Sequence, residues 1–136
     1  MKRFCVFLMM ACCLLTASAQ TVRDSHNATM GRVENDGTVR NRSNAVIGKI
    51  ERDGTIRDRN NASVGKIESN GTVRNRSNGY IGKVESDGTV RDYANAYLGK
   101  VERDGTVRNR SNACIGKVEN VSAQNAAVIF FFDFFD

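Results

Sequence analysis

Apolar positions in this chain return on a fixed beat. From Gly48 to Val64 the sequence reads Gly-Lys-Ile-Glu-Arg-Asp-Gly-Thr-Ile-Arg-Asp-Arg-Asn-Asn-Ala-Ser-Val, and a near copy begins again seventeen residues later. One glycine falls at 31, 48, 65, 82, 99 and 116 and a second at 37, 54, 71, 88 and 105, so the period runs without insertion or deletion. A repeat this regular fixes architecture before chemistry. One half of the unit is Thr-apolar-Arg, as in Thr38-Val39-Arg40; the other is apolar-Gly-Lys-apolar-Glu, as in Ile47-Gly48-Lys49-Ile50-Glu51. Each half is short, rich in β-branched residues and bounded by Gly, Asn, Asp and Ser. That pattern predicts strands and is too brief for helices. The expected fold class is all-β: tandem 17-residue β-hairpin repeats.

The links between the halves carry the register. Asn35-Asp36-Gly37 joins Glu34 to Thr38, and the same x-Asp/Asn-Gly form recurs at four further links, which is a hairpin signal. A two-residue Asp-Gly turn would set Val33 opposite Arg40 and split the apolar set between two faces. A three-residue loop, with the glycine in the left-handed region, sets Val33 opposite Val39 and is preferred, because register follows the buried face. It also gathers Arg32, Glu34, Thr38 and Arg40 on the outer face, with Glu34 in diagonal reach of Arg40. Ile47 and Ile50 are three apart, so both turn inward only if a bulge centred on Gly48 adds a residue. The other loop, Arg42-Ser43-Asn44-Ala45, keeps its asparagine in every copy (27, 44, 61, 78, 95 and 112), as a left-handed turn requires.

The two ends depart from the repeat. Lys2 and Arg3, an apolar stretch from Phe4 to Leu15 and the triplet Ala17-Ser18-Ala19 have the layout of a secretory signal peptide. Cleavage is expected after Ala19, which makes the protein secreted or periplasmic. A lipidated start at Cys12 or Cys13 is the weaker alternative, since Met9 stands where a leucine-like residue is wanted. Processing removes Cys5, Cys12 and Cys13 and leaves Cys114 without a disulfide partner. It also leaves 18 basic residues against 15 acidic, a net of +3. That is far from a polybasic nucleic-acid binder, so no nucleic-acid partner is expected. The domain reading is therefore 1–19 signal peptide, 20–120 hairpin repeats and 121–136 a polar connector with an apolar tail. Every phenylalanine past the signal peptide lies in that tail, between Phe130 and Phe135. The thin Val and Ile side chains of the repeats could hardly fill the middle of a ring, so the tail is expected to pack on the inner surface as a plug or a final strand.

On the signal peptide ending near Ala19-Gln20, the tandem Gly-Lys-Val-Glu-x-Asp-Gly-Thr-Val-Arg hairpins and the phenylalanine-rich end, the chain resembles the small secreted bacterial proteins called five-fold β-flower proteins. The resemblance implies two-stranded petals arranged radially about an axis, about five hairpins, and no known activity or catalytic residues. The five x-Asp/Asn-Gly links give five full hairpins. The leftover halves Thr21-Val22-Arg23 and Ile115-Gly116-Lys117-Val118-Glu119 are free to pair and close the ring, which makes six units in strict counting.

Catalysis finds little support. His26 is the lone histidine and holds a turn position occupied elsewhere by Ser43, Asn60, Ser77, Ala94 and Ser111. The recurring glutamate argues for ion pairs beside the Arg row, since a single active site breaks repeat symmetry. Asp36, Asp53, Asp87 and Asp104 offer one carboxylate per turn, short of the six to eight oxygens calcium takes. No enzyme, cofactor or metal is expected. Tyr80, Tyr93 and Tyr97 break the repeat in adjacent units and are the candidate binding residues, an aromatic platform for a sugar or a partner; exposed strand tyrosines also simply suit β structure. The function expected is a non-catalytic binding module for a carbohydrate or envelope component. The alternative is a structural envelope protein that self-associates through its ring face or tail.

Overall fold

The computed structural model describes residues 20–135. The expected signal peptide lies outside them with Cys5, Cys12 and Cys13, as does Asp136. Twelve strands follow one another: β1 (Thr21–Asp24), β2 (Thr29–Val33), β3 (Thr38–Asn41), β4 (Val46–Ile50), β5 (Thr55–Asp58), β6 (Ser63–Ile67), β7 (Thr72–Asn75), β8 (Tyr80–Val84), β9 (Thr89–Asp92), β10 (Tyr97–Val101), β11 (Thr106–Asn109) and β12 (Cys114–Glu119). One helix, α1 (Ala123–Phe131), comes after them.

Each strand pairs antiparallel with its sequence neighbours, and β1 pairs with β12, so the sheet closes into a barrel. The closing ladder sets Thr21 opposite Glu119, Val22 opposite Val118 and Arg23 opposite Lys117. The five hairpins of the x-Asp/Asn-Gly links are present, and the closing ladder makes the count six. The two leftover half-repeats form a sixth pair, because each would otherwise present an unpaired backbone edge. The radial petals are replaced by one continuous sheet, in which every strand is bonded on both sides.

Both turn types sit as their residues dictate. Val33 faces Val39, Glu34 N donates to Thr38 O at 2.8 Å, and Gly37 has φ +94°, the three-residue loop read from the sequence. At the opposite end of the barrel Asn27, Asn44, Asn61, Asn78, Asn95 and Asn112 all have φ between 67° and 69°. Asparagine takes this region at lower cost than other residues with a Cβ. The bulge is present but sits one residue early. Val39 faces Gly48 and Arg40 faces Val46, which leaves Ile47 as the extra residue, packed against the core.

Each of the twelve strands sends one Val or Ile inward, none more than 4% exposed. Helix α1 adds Ala126, Ala127 and Val128, all with no exposed surface. Ser122 caps it: its hydroxyl accepts from Asn125 N at 3.1 Å. The tail is thus helical through Phe131, which excludes the final strand that was one of the two forms expected. A closed ladder has no free edge to accept another strand, so the segment satisfies its backbone internally. Past the helix Phe132 joins the core, and Phe130, Phe131, Phe134 and Phe135 pack against it half-buried. Their rings occupy the space over glycines. A Cβ at Gly116, Gly99, Gly82, Gly65 or Gly48 would meet the ring of Phe130, Phe131, Phe132, Phe134 or Phe135 respectively. Glycine is used at these five positions for close approach, and Gly99 also has a positive φ of +159°.

Candidate binding surface

The outer face is built from one triad per repeat. Arg40 Nε lies 3.1 Å from Glu34 Oε2, and Arg57, Arg74, Arg91 and Arg108 repeat the pair with Glu51, Glu68, Glu85 and Glu102 at 3.2–3.3 Å. Arg23 with Glu119, at 3.6 Å, completes the set across the closing ladder. The diagonal reach expected for Glu34 and Arg40 is therefore realised around the barrel. The same arginines do a second task that the sequence reading missed. Arg40 Nη1 donates to the carbonyl of Asn44 at 3.0 Å, and the five other copies make the equivalent bond at 3.1–3.3 Å. The Arg row is thus committed to holding hairpins together.

The turn carboxylates are also committed. Asp36, Asp53, Asp87 and Asp104 each accept from the backbone N–H of the threonine two residues on, at 3.0 Å. That bond holds each carboxyl below the ordinary aspartate value, with the neighbouring lysine a smaller cause. At the other end Asp24 is lowered for the same reason, chiefly by the N–H of Ala28. Among the described residues no three His, Cys, Asp or Glu side chains gather as metal ligands would.

His26 is exposed in the first Asn turn, its Nδ1 3.4 Å from Ser25 Oγ, with no carboxylate orienting the ring as a general base requires. Cys114 is exposed and its thiol points to Gly116 O at 3.5 Å. The mouth at the Asp-Gly end holds a depression of about 510 Å³ between the helix start and the turns, with Glu34, Asp36, Glu51, Asp53, Ser122 and Asn125 in its lining. Asp36, Asp53 and both glutamates already have partners within the fold. The arrangement offers contact surface.

The three tyrosines lie on β8, on β10 and in the turn between β9 and β10. Tyr80 opens β8 opposite Arg74, and Tyr97 opens β10 opposite Arg91; they are 41% and 38% exposed. Tyr93 sits in the turn between β9 and β10 and is 73% exposed. Gly82 pairs with Asp92, which brings Tyr80 and Tyr93 to the same end of adjacent strands. This end of β8–β10 therefore presents aromatic faces where other units present Ser63, Val46 or Thr29. Aromatic rings with a polar tip suit partly wet contacts.

No curated protein and no solved structure matches this chain. One family model does match, described as 5-fold beta-flower protein, over residues 19–135.

Proposed function

The chain belongs to the 5-fold beta-flower protein family, and on that footing we propose that it is a secreted or periplasmic, non-catalytic binding module for a glycan or other envelope component. The observation that carries this reading is the exposure of Tyr80, Tyr93 and Tyr97 at one end of three consecutive strands. Elsewhere the repeating polar groups hold one another: Arg to Glu, Arg to turn carbonyl, Asp to turn amide. The tyrosine patch is the aromatic surface left over for a partner.

The phenylalanine tail, in this reading, is a plug that keeps the barrel from collapsing and holds the outer strands in place for contact. Support comes from the rings lying over five successive inward glycines. Assembly through the tail is the second reading, favoured by Phe134 and Phe135 remaining half-buried instead of enclosed. The test is retention of the chain from Gln20 onward on insoluble polysaccharides and peptidoglycan, at low and high salt. Salt-resistant retention that is lost on combining Tyr80→Ala, Tyr93→Ala and Tyr97→Ala is the expected result. Retention unchanged in that variant would remove the tyrosine patch from the reading. A mass in solution above one chain, in native and variant alike, would move assembly ahead.

A further inference from the structure

The waist of the barrel carries more positive charge than its ion pairs consume. Every repeat places there one Arg, one Glu and one further cation: Lys49, Lys66, Lys83, Lys100 or Lys117, with Arg32 in the first unit. Twelve cations against six glutamates leave an excess of six. In register Lys49 faces Arg57, Lys66 faces Arg74, Lys83 faces Arg91, Lys100 faces Arg108 and Lys117 faces Arg23. The glutamates go to the arginines, and the eight ion pairs among the described residues include no lysine. Like charges directly opposite one another on a ladder weaken it. Lys49, Lys66, Lys100 and Lys117 help hold a turn aspartate ionised, but none of the described lysines closes an ion pair, and lysine returns at five of six positions.

The poles differ from the waist. At the Asp-Gly end Asp36, Asp53, Asp87 and Asp104 outnumber Arg52 and Arg103. At the Asn-turn end Arg42, Arg59, Arg76 and Arg110 are matched by Asp24, Asp58, Asp92 and Asp133. A modest overall charge thus conceals a cationic belt bordered by an acidic rim on one side and a balanced end on the other. An anionic chain is attracted to the equator and turned away from the acidic rim.

We infer that this belt binds a flexible anionic polysaccharide with acid groups spaced about as widely as the lysines. Successive lysines are two strands apart, about 9.6 Å along the circumference, and the surface curves around a ring of about 58 Å at that strand spacing. Duplex nucleic acid fits poorly. It carries a charge every ~1.7 Å and stays straight over hundreds of ångströms, so it would touch one side of the ring and use few of its charges. A flexible chain with sparse charge follows the curve and meets several lysines in turn, and the weak contacts multiply. The inference rests on the glycan-binding reading above but uses a different surface.

The probe is hyaluronan, which carries one carboxylate per disaccharide, titrated by anisotropy into the chain from Gln20 onward over a range of salt. Expected is binding at low salt that weakens as salt rises, each lysine in contact adding less to the slope than the about 0.7 to 0.9 of a nucleic-acid contact, because charges this sparse hold fewer counterions to release. Combining Lys66→Gln, Lys83→Gln and Lys100→Gln lowers both affinity and slope, whereas the three Lys→Arg changes preserve both and the melting temperature holds. No binding at low salt, or a slope unchanged in the Gln variant, overturns the belt; so does duplex DNA binding as tightly at equal charge concentration. A neutral glucan held through the tyrosines with hyaluronan ignored would sink the belt and leave the earlier reading. Hyaluronan held through the lysines, with the tyrosine variant unaffected and neutral glucans ignored, would do the reverse.

Discussion

Three side chains settle each bend at the Asn end. Asn44 takes the left-handed conformation, Asn41 Oδ1 accepts from Ser43 N at 2.9 Å and Ala45 N at 3.1 Å, and Arg40 closes on the carbonyl of Asn44. The first of these is legible in sequence, because few residues with a Cβ tolerate that backbone region. The second is a local turn bond of Asn and Asp that the period displays at 24, 41, 58, 75, 92 and 109, and it was passed over in favour of the more constant asparagine. The Arg contact depends on strand register and on the bulge, so no spacing rule discloses it. At the other end the aspartates make a pH prediction. Asp36, Asp53, Asp87 and Asp104 have folded values held below the ordinary 3.8 by the threonine amides. A depressed folded value stabilises at neutral pH, and that contribution is lost as pH falls through 3.8 toward the lower folded value. The urea midpoint should therefore decline below about pH 4. Asn70 shows what removes this: its Oδ1 accepts from Thr72 N at 3.0 Å and carries no charge to titrate. Replacing the four aspartates by asparagine should make the acid limb of the midpoint curve shallower, and an unaltered limb would refute the assignment.

Among elements, the strands were readable because period-two burial recurs in every copy, and the misplaced bulge shows where that reading stops. Ile47 and Ile50 betray an irregularity between them, yet which residue is extra depends on the partner strand. The helix was missed for a different reason. Its signals, Ser122 before Ala-Gln-Asn-Ala-Ala, were present, but the phenylalanine run that follows suits strands as well. Only the closed ladder excludes the strand. The packing yields a prediction at this scale. Phe132 is 7% exposed and its ring fills the space over Gly82. Phe132→Ala should cost about 3–5 kcal/mol of unfolding free energy, and Phe135→Ala, starting half-buried, clearly less. Equal losses in denaturant titrations would mean that the tail does not pack as described.

For the molecule as a whole, ring closure was half legible. The five x-Asp/Asn-Gly links gave five hairpins and the two leftover half-repeats invited a sixth pairing; twelve strands and the β1–β12 ladder decide it. The tyrosines were legible as interruptions of the repeat. Their shared end of the barrel was not, since it needs the Gly82 to Asp92 register. Deleting residues 126 to 136 takes away Ala126, Ala127 and Val128 together with every described phenylalanine. With buried phenylalanines worth roughly 1.5–3 kcal/mol each and about 4 °C lost per kcal/mol, the melting temperature should fall by more than about 10 °C. An unchanged value would show that the ring stands without its filling. The seventeen-residue period has a last consequence for how such a chain changes over time. Each unit contributes two strands, so gaining or losing one keeps the strand number even, and an even number is what an antiparallel ring needs to meet its own first strand. Copying slippage in whole units therefore yields closed rings of a different girth instead of broken sheets. Selection then acts on bore width, because one helix and a handful of phenylalanines must still fill it.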